Sequence, residues 1–304
     1  MITIANAVQR ISAAFPHLAI ENAELLAGGQ YNAVVRVNDD LIFRFPRFAA
    51  GTEKLAREAE ILDRIRPYVN TPIPRALCRH FEATDDGGAF AGYQVIQGEV
   101  FSRQAVAKLD TTAKVSIAEQ LAAFLRELHA IPCEALGEKI ASTGDDPLVN
   151  WRANWSEMAT RLRVAVFPLV PYAVQAHLDT LFSGFLGQDV NFSFAPRVIR
   201  GDFGTGNILF QPATGTITGI IDFDSARLGD PACDLAALHT DDEQFARYVR
   251  QAYAPTAGEQ ARASFYRATF AAQEALYGVE HNDPDAFARG IAPYLSAQDA
   301  NHHA

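Results

Sequence analysis

Two short segments constrain this chain most. They are Arg200-Gly201-Asp202-Phe203-Gly204-Thr205-Gly206-Asn207 and Gly219-Ile220-Ile221-Asp222-Phe223-Asp224. Asp202 and Asn207 stand five positions apart, and Asp222 follows twenty positions after Asp202. Apolar residues flank the turn on both sides, so the polar residues read as the ends of short strands. A carboxylate at 202 can accept the proton of an attacking hydroxyl and hold that hydroxyl in line. Asn207 offers a neutral oxygen and Asp222 a charged one, the hard ligands that magnesium prefers, and magnesium keeps only one or two protein carboxylates. Asp and Asn in Gly-rich turns also bond their own backbone, so one such turn alone would carry little weight. The combined spacing, the strands on both sides and Gly229-Asp230-Pro231 downstream make it part of a larger site.

The rest of the chain divides around this centre. Met1 to Ile20 reads as an amphipathic helix ending near Pro16 rather than as a signal peptide, because no basic stretch precedes a long apolar run. Leu25 to Phe45 reads as two or three short strands, broken by Gly28-Gly29 and by Asn38-Asp39-Asp40. Thr52 to Val69 is expected to be a helix, and Tyr93 to Ile96 a further short strand closed by Gly98. Beyond Gly98 the pattern turns helical: Lys114 to Ala130 puts Ala118, Leu121, Leu125 and Leu128 on one face. Asn154 to Leu186 holds two more amphipathic stretches separated by Phe167-Pro168 and Pro171. Strands return from Val198 to Phe223 around the turn Gln211 to Gly215, and helices from 231 to 295. The expected fold class is α+β, with a β-rich N-lobe over residues 1–98 and a mainly helical C-lobe over residues 99–304.

At this point the sequence resembles the aminoglycoside phosphotransferase family, small-molecule phosphotransferases with a protein-kinase-like two-lobed fold. The likeness runs through LAGGQYNAVVRV (26–37), LIFRFPR (41–47), AREAEIL (56–62) and YQVIQGEVF (93–101). It is most specific in RGDFGTGNILF (200–210) and GIIDFDSARLGDPACDLAAL (219–238), and FYRATFAAQEALYG (265–278) is similar to the family's substrate-side helix. The resemblance implies that Asp202 is the catalytic base and that Asn207 and Asp222 bind Mg2+ beside the phosphates of ATP or GTP. It implies that Gly28, Gly29 and their neighbours form the flap over those phosphates. Tyr93, Gln94, Val95 and Ile96 would form the hinge holding the purine edge, with Asp230 and Asp234 bracing the catalytic loop.

Glu58 can be argued on its own. On a helix it falls within the apolar stripe of Leu55, Ala59, Leu62, Ile65 and Val69, whereas Glu60 points the opposite way. A carboxylate on a buried stripe needs a partner. In a kinase lobe that partner is the cation of the third strand, here Arg44 in Ile42-Phe43-Arg44. Two departures from the family follow: Arg44 replaces the usual phosphate-binding Lys, and Arg200 the His usually found two residues before the catalytic Asp. Arginine grips phosphate with a planar fork rather than a point charge. Asp224 stands where related proteins often carry Gly.

Charge bears on the partner. The net charge is −10, and residues 222–304 carry 13 acidic against 6 basic side chains. That excess argues against nucleic acid, whose phosphates need Lys and Arg stripes, and is compatible with a cationic ligand. Asp241, Asp242, Glu243 and Glu274 are therefore candidates for contact with a hydroxylated, cationic substrate such as an aminoglycoside. Trp151, Trp155 and His129 read more simply as packing residues. No apolar run approaches the ~18 residues that span a bilayer, and three scattered cysteines give neither a CxxC pair nor a disulfide framework. A cytoplasmic phosphotransferase conferring antibiotic resistance is the leading expectation. A kinase-fold nucleotide-binding protein without efficient transfer is the alternative that Arg44 and Arg200 motivate. A magnesium hydrolase using Asp202, Asp222 and Asp224 would leave the glycine turn and the Glu58 helix unexplained.

Overall fold

Alternation of apolar and polar side chains builds the N-terminal sheet. In the computed structural model, which describes residues 2–26, 32–48, 50–82, 88–137, 151–238 and 242–302, this sheet has five antiparallel strands in the order β1-β2-β3-β5-β4. They are β1 (Ala23–Leu26), β2 (Asn32–Val37), β3 (Leu41–Pro46), β4 (Ala76–His80) and β5 (Phe90–Gln94). Asn38, Asp39 and Asp40 join β2 to β3, with left-handed φ of 52° and 60° at Asn38 and Asp39, a conformation that Asn and Asp tolerate. Side chains alternate across β3. Phe43 and Phe45 point into a core shared with Ala7 and Ile11 of α1 (Ile4–Ala14). Arg44 therefore emerges on the other face, under α2 (Ala50–Ile65). Helix α1 starts at a capping box, in which Thr3 and Asn6 satisfy each other's backbone N–H.

Helix α2 turns Leu55, Glu58, Ala59, Leu62 and Ile65 inward. Its apolar side belongs to a core that continues through Phe101, Leu121, Phe124, Phe203 and Phe223, so the helix packs on both the sheet and the catalytic segment. Arg57 fastens it to that segment by donating to the Ala226 carbonyl at 2.9 Å.

The chain leaves the first sheet after Gln94 and enters a second one at β6 (Glu99–Val100), which pairs with β8 (Ile208–Gln211). Gly98 lies between them with φ of +150°, and a Cβ there would come 2.3 Å from Thr218 Oγ1. Only glycine fits that crossing. Strand β8 also pairs with β9 (Thr216–Ile220), and β7 (Arg197–Ile199) pairs with β10 (Arg227–Gly229). The remainder is helical: α3 (Arg103–Lys108), α4 (Thr111–His129), α5 (Trp151–Ala165), α6 (Tyr172–Leu186), α7 (Ala232–Ala237), α8 (Glu243–Tyr253), α9 (Ala257–Glu280) and α10 (Pro284–His302). A second core joins α5, α6, α7 and α9 around Trp151, Phe182, Phe265 and Tyr266.

The kinase-like α+β arrangement is the one expected. The strand placed at Tyr93 to Ile96 instead runs from Phe90 to Gln94. Strands β4 and β10 carried no clear sequence signal, since five and three residues of mixed character set no period. No described helix is long and apolar enough to cross a membrane.

Candidate active site

The loop between β7 and β8 is held by buried polar contacts rather than by regular structure. Asp234 of α7 is fully buried. Its Oδ2 accepts the Arg200 N–H at 2.9 Å, and its Oδ1 accepts the Gly201 N–H at 2.8 Å. His129, at the end of α4, sits 3.1 Å from the same Oδ2 through Nε2, and 2.8 Å from the Tyr253 hydroxyl through Nδ1. One carboxylate thus satisfies two loop amides and is itself oriented by an imidazole. Gly201 has φ of +85°, and a Cβ there would lie 2.4 Å from Arg227 Nη1 and 2.7 Å from the Ser225 carbonyl.

Arg200 is 1% exposed and supports the other side. It donates from Nη2 to the Ile221 carbonyl at 2.9 Å, and also to the Asp222 carbonyl. The cation therefore ties the Asp202 loop to the strand end that carries Asp222. Burial lowers its pKa, opposed by Asp202, Asp222 and Asp234; as a guanidinium it stays charged.

Asp202 itself opens into the cleft. Partial burial raises its carboxyl above the usual range, Arg200 opposes the shift, and Asp222 and Asp224 add to it. Asn207 donates Nδ2 to the Asp202 carbonyl at 3.4 Å, which leaves its Oδ1 free of protein donors. The Asn207 carbonyl accepts the Ile221 N–H at 2.9 Å, bringing Asn207 beside the strand end that carries Asp222. Asp222 adopts the left-handed φ of 64°, uncommon for a non-glycine residue. Its Oδ1 is buried without a hydrogen-bond partner. An acceptor left in that state is costly unless a cation completes it, so Asn207 and Asp222 fit a magnesium ion. Among the described residues no three His, Cys, Asp or Glu side chains group to hold a metal.

The expected pair between the third strand and α2 is present. Arg44 Nη1 lies 2.8 Å from Glu58 Oε1 and 2.6 Å from Oε2. Glu58, 1% exposed, also accepts the Phe223 N–H at 3.0 Å. Arg44 Nη2 reaches the other way, to 4.0 Å from Asp222 Oδ1. Burial of the Arg44 guanidinium works to lower its pKa, but Glu58, Tyr93 and Asp222 outweigh burial and hold it above its ordinary value. Burial also pushes the Glu58 carboxyl up, against the pull of Arg44 and the Phe223 amide.

Of the hinge residues, Tyr93 is buried beneath Arg44, whose Cζ stands 5.9 Å from the ring centroid. The Gln94 N–H donates to Arg75 and the Val95 N–H to Asp40, so these two amides are committed. No described hydrogen bond engages the Ile96 backbone, which leaves that residue free for a purine edge. Gly28, Gly29 and Asp241 lie outside the described residues.

The remaining acidic candidates are engaged elsewhere. Asp242 caps α8 through the Phe245 N–H at 2.9 Å and takes Lys114 Nζ at 2.6 Å. Glu243 pairs with Arg267 and Arg250, and Glu274 with Arg289 at 2.7 Å. None of the three lines the cavity of about 620 Å³ that opens beside Asp202. Its walls come from α5 and α9 instead, with Trp155, Tyr266, Phe270 and Gln273 among them. The segment read as a substrate-side helix does face the cavity, with Tyr266, Phe270 and Gln273 at helical spacing, while Glu274 turns outward to Arg289. Asp230 braces this wall, taking Arg262 at 2.5 and 3.0 Å and the Tyr266 hydroxyl at 2.8 Å. His129 is the buried last residue of α4 and Trp155 packs on Tyr266, as expected of packing residues, but the contact of His129 with Asp234 and the place of Trp155 in the cavity wall were not foreseen. The signal for His129 was a polar ring on the buried side of α4, the argument that found Glu58. Nothing in the sequence singled out Trp155.

A sequence profile described as the phosphotransferase enzyme family matches residues 22–266. Viomycin phosphotransferase of Streptomyces vinaceus is 28% identical over 279 residues, 88% of this chain and 90% of its own length. The solved GDP complex of wild-type aminoglycoside 2'-phosphotransferase-IIIa superposes with a TM-score of 0.86 at 27% identity, over 99% of this chain and 100% of the other. The GDP and kanamycin complex of APH(2")-IIIa also gives 0.86 at 27% identity, over 97% and 99%.

Proposed function

The chain belongs to the phosphotransferase enzyme family, and from that premise we propose that it moves the γ-phosphate of ATP or GTP onto a hydroxyl of a small antibiotic bearing at least one amine. The carrying observation is that Asp202 lines the cavity, Asn207 bonds the Asp202 carbonyl, and Asp222 Oδ1 lies 4.0 Å from Arg44 Nη2. Asp202 accepts the proton of the acceptor hydroxyl while its oxygen attacks the γ-phosphorus. The bond from that phosphorus to the bridging oxygen breaks, and the nucleoside diphosphate leaves. Bound magnesium would supply charge neutralisation on the β- and γ-phosphate oxygens, held by Asn207 and Asp222. Arg44, fixed by Glu58, grips the phosphates, and the raised Asp202 carboxyl makes a stronger base than an ordinary aspartate.

In this reading residues 1–98 hold the nucleotide, with Ile96, whose backbone makes no described hydrogen bond, at the purine edge; the expected roles of Gly28 and Gly29 at the phosphates fall outside the described residues. Residues 99–304 hold metal and acceptor. The enzyme would work in the cytoplasm, where nucleoside triphosphates are made. The amine is supported by the net charge of −10 and by the antibiotics named with the relatives. Against the non-transferring alternative stand the pairing of Arg44 with Glu58 and the bonds of Arg200 to the Asp222 strand end. A panel of aminoglycosides, viomycin, macrolides, choline and sugars, with γ-labelled nucleotide and magnesium, tests the proposal. Labelled antibiotic is the expected product. Label released only as inorganic phosphate with every acceptor would refute it.

A further inference from the structure

Asp234 holds the Asp202 loop, and two further side chains decide how Asp234 itself is held. Its Oδ2 accepts the Arg200 N–H, its Oδ1 the Gly201 N–H, and His129 Nε2 stands 3.1 Å from Oδ2. A lone pair on Nε2 would face the lone pairs of the carboxylate, so Nε2 carries a proton. In a neutral imidazole the other nitrogen is then an acceptor, and this ring is buried away from water. An acceptor in that position needs a donor. Tyr253, the last residue of α8, meets it with its hydroxyl 2.8 Å from Nδ1. Burial pushes the Tyr253 phenol above its ordinary value, Glu259 and Asp234 add to the shift, and Arg126 and Arg197 oppose it. The phenol therefore keeps its proton and can donate the hydrogen bond.

Tyr253 is itself fixed in place. Its ring meets the imidazole edge to face, centroids 5.7 Å apart and planes at 82°, an arrangement that aromatic pairs prefer. Arg126 of α4 donates to the neighbouring Ala252 carbonyl, and Lys114 of α4 reaches Asp242 Oδ2 at 2.6 Å at the opposite end of α8. Three side chains from α8, α4 and α7 thus run from Tyr253 to the two amides directly before Asp202. Resting on the phosphotransferase reading above, we infer that Tyr253 is a positioning residue for the transfer step. Its hydroxyl donates to His129 Nδ1, fixes the imidazole as the neutral Nε2–H tautomer and, through Asp234, aims the Asp202 carboxylate at the acceptor hydroxyl. Small misplacements of a base are punished steeply in rate. The proposed nucleotide contacts, Arg44 and Ile96, belong to the N-terminal sheet and the hinge, so the relay acts on kcat and not on nucleotide affinity.

The imidazole state is read by nitrogen NMR on the full wild-type chain carrying 15N-histidine, near neutral pH. His129→Gln, which removes one of the eight histidine signals, assigns the resonance. A neutral Nε2–H ring is expected at His129. An Nδ1–H tautomer or an imidazolium would overturn the inference, whether or not any variant folds. Tyr253→Phe keeps the ring and removes only the hydroxyl. It is expected to lose that tautomeric state and lower kcat about tenfold, with the nucleotide Kd unchanged. An unchanged kcat, or a loss carried by nucleotide Kd instead, would overturn it. A double-mutant cycle asks whether Tyr253 acts through the imidazole: Tyr253→Phe placed on His129→Gln is expected to change kcat by less than about twofold, because the relay is already broken. A further full tenfold loss there would show another route and overturn the inference. A wild type that labels no acceptor fails the phosphotransferase reading; the wrong tautomer with transfer intact fails this inference alone.

Discussion

At the scale of single residues the site turns on how buried charge is shared. Glu58 accepts from Arg44 and from the Phe223 amide, so one carboxylate couples the third strand to the metal-side loop. Losing a partner from such a set costs far more than the set contributes net. Glu58→Gln is therefore expected to loosen Arg44 and cut kcat/KM for nucleotide by about tenfold or more, at about 1.4 kcal/mol per factor of ten. Arg44→Lys keeps a cation facing Glu58 and restores a point charge, so activity should be retained or rise; a collapse of activity would show that both ends of the guanidinium are needed. The raised carboxyl of Asp202 has a sign that can be checked. The base works only when deprotonated, so the rate should fall as pH drops, with the acidic limb above the usual aspartate range. A rate flat down to ordinary aspartate pKa values, near 4, would contradict it.

At the scale of elements, Glu58 was legible because the helix period of 3.6 put it on the stripe of Leu55 and Leu62. Arg44 was legible through the likeness to a kinase lobe, whose third strand carries the partner cation. The substrate side was not legible in this way. Asp242, Glu243 and Glu274 sit in acidic stretches where local spacing does not say which carboxylate meets a cation, and Lys114, Arg267 and Arg289 decide it through tertiary contacts. Nor does spacing reveal that Asp234, His129 and Tyr253, from three different helices, meet at one loop. That loop is the tightest element. Gly201→Ala would force a side chain to φ of +85° and into Arg227. It should destabilise the fold by about 1–3 kcal/mol and lower kcat further than nucleotide affinity. Wild-type kcat and melting temperature in that variant would mean the loop is softer than described.

At the scale of the whole molecule the N-terminal sheet, α2 and the 200–224 segment share one core, so Arg44, Asn207, Asp222 and Asp202, the residues proposed to act together, are positioned by the same packing. Nucleotide with magnesium should accordingly raise the melting temperature, because a concentration of a hundred times Kd adds ~2.7 kcal/mol to the stability. Asp222→Ala should lose the magnesium-dependent part of that rise, and an undiminished rise would remove Asp222 from the metal site. The central claim, that Asp202 is the base of a hydroxyl phosphorylation, is tested most directly in Asp202→Asn. Nucleotide Kd and kcat are measured on the same preparation, with the acceptor that the wild type phosphorylates. The account predicts a nearly unchanged Kd and a kcat lower by orders of magnitude. A kcat above about a tenth of wild type, less than ~1.4 kcal/mol of barrier, would contradict it.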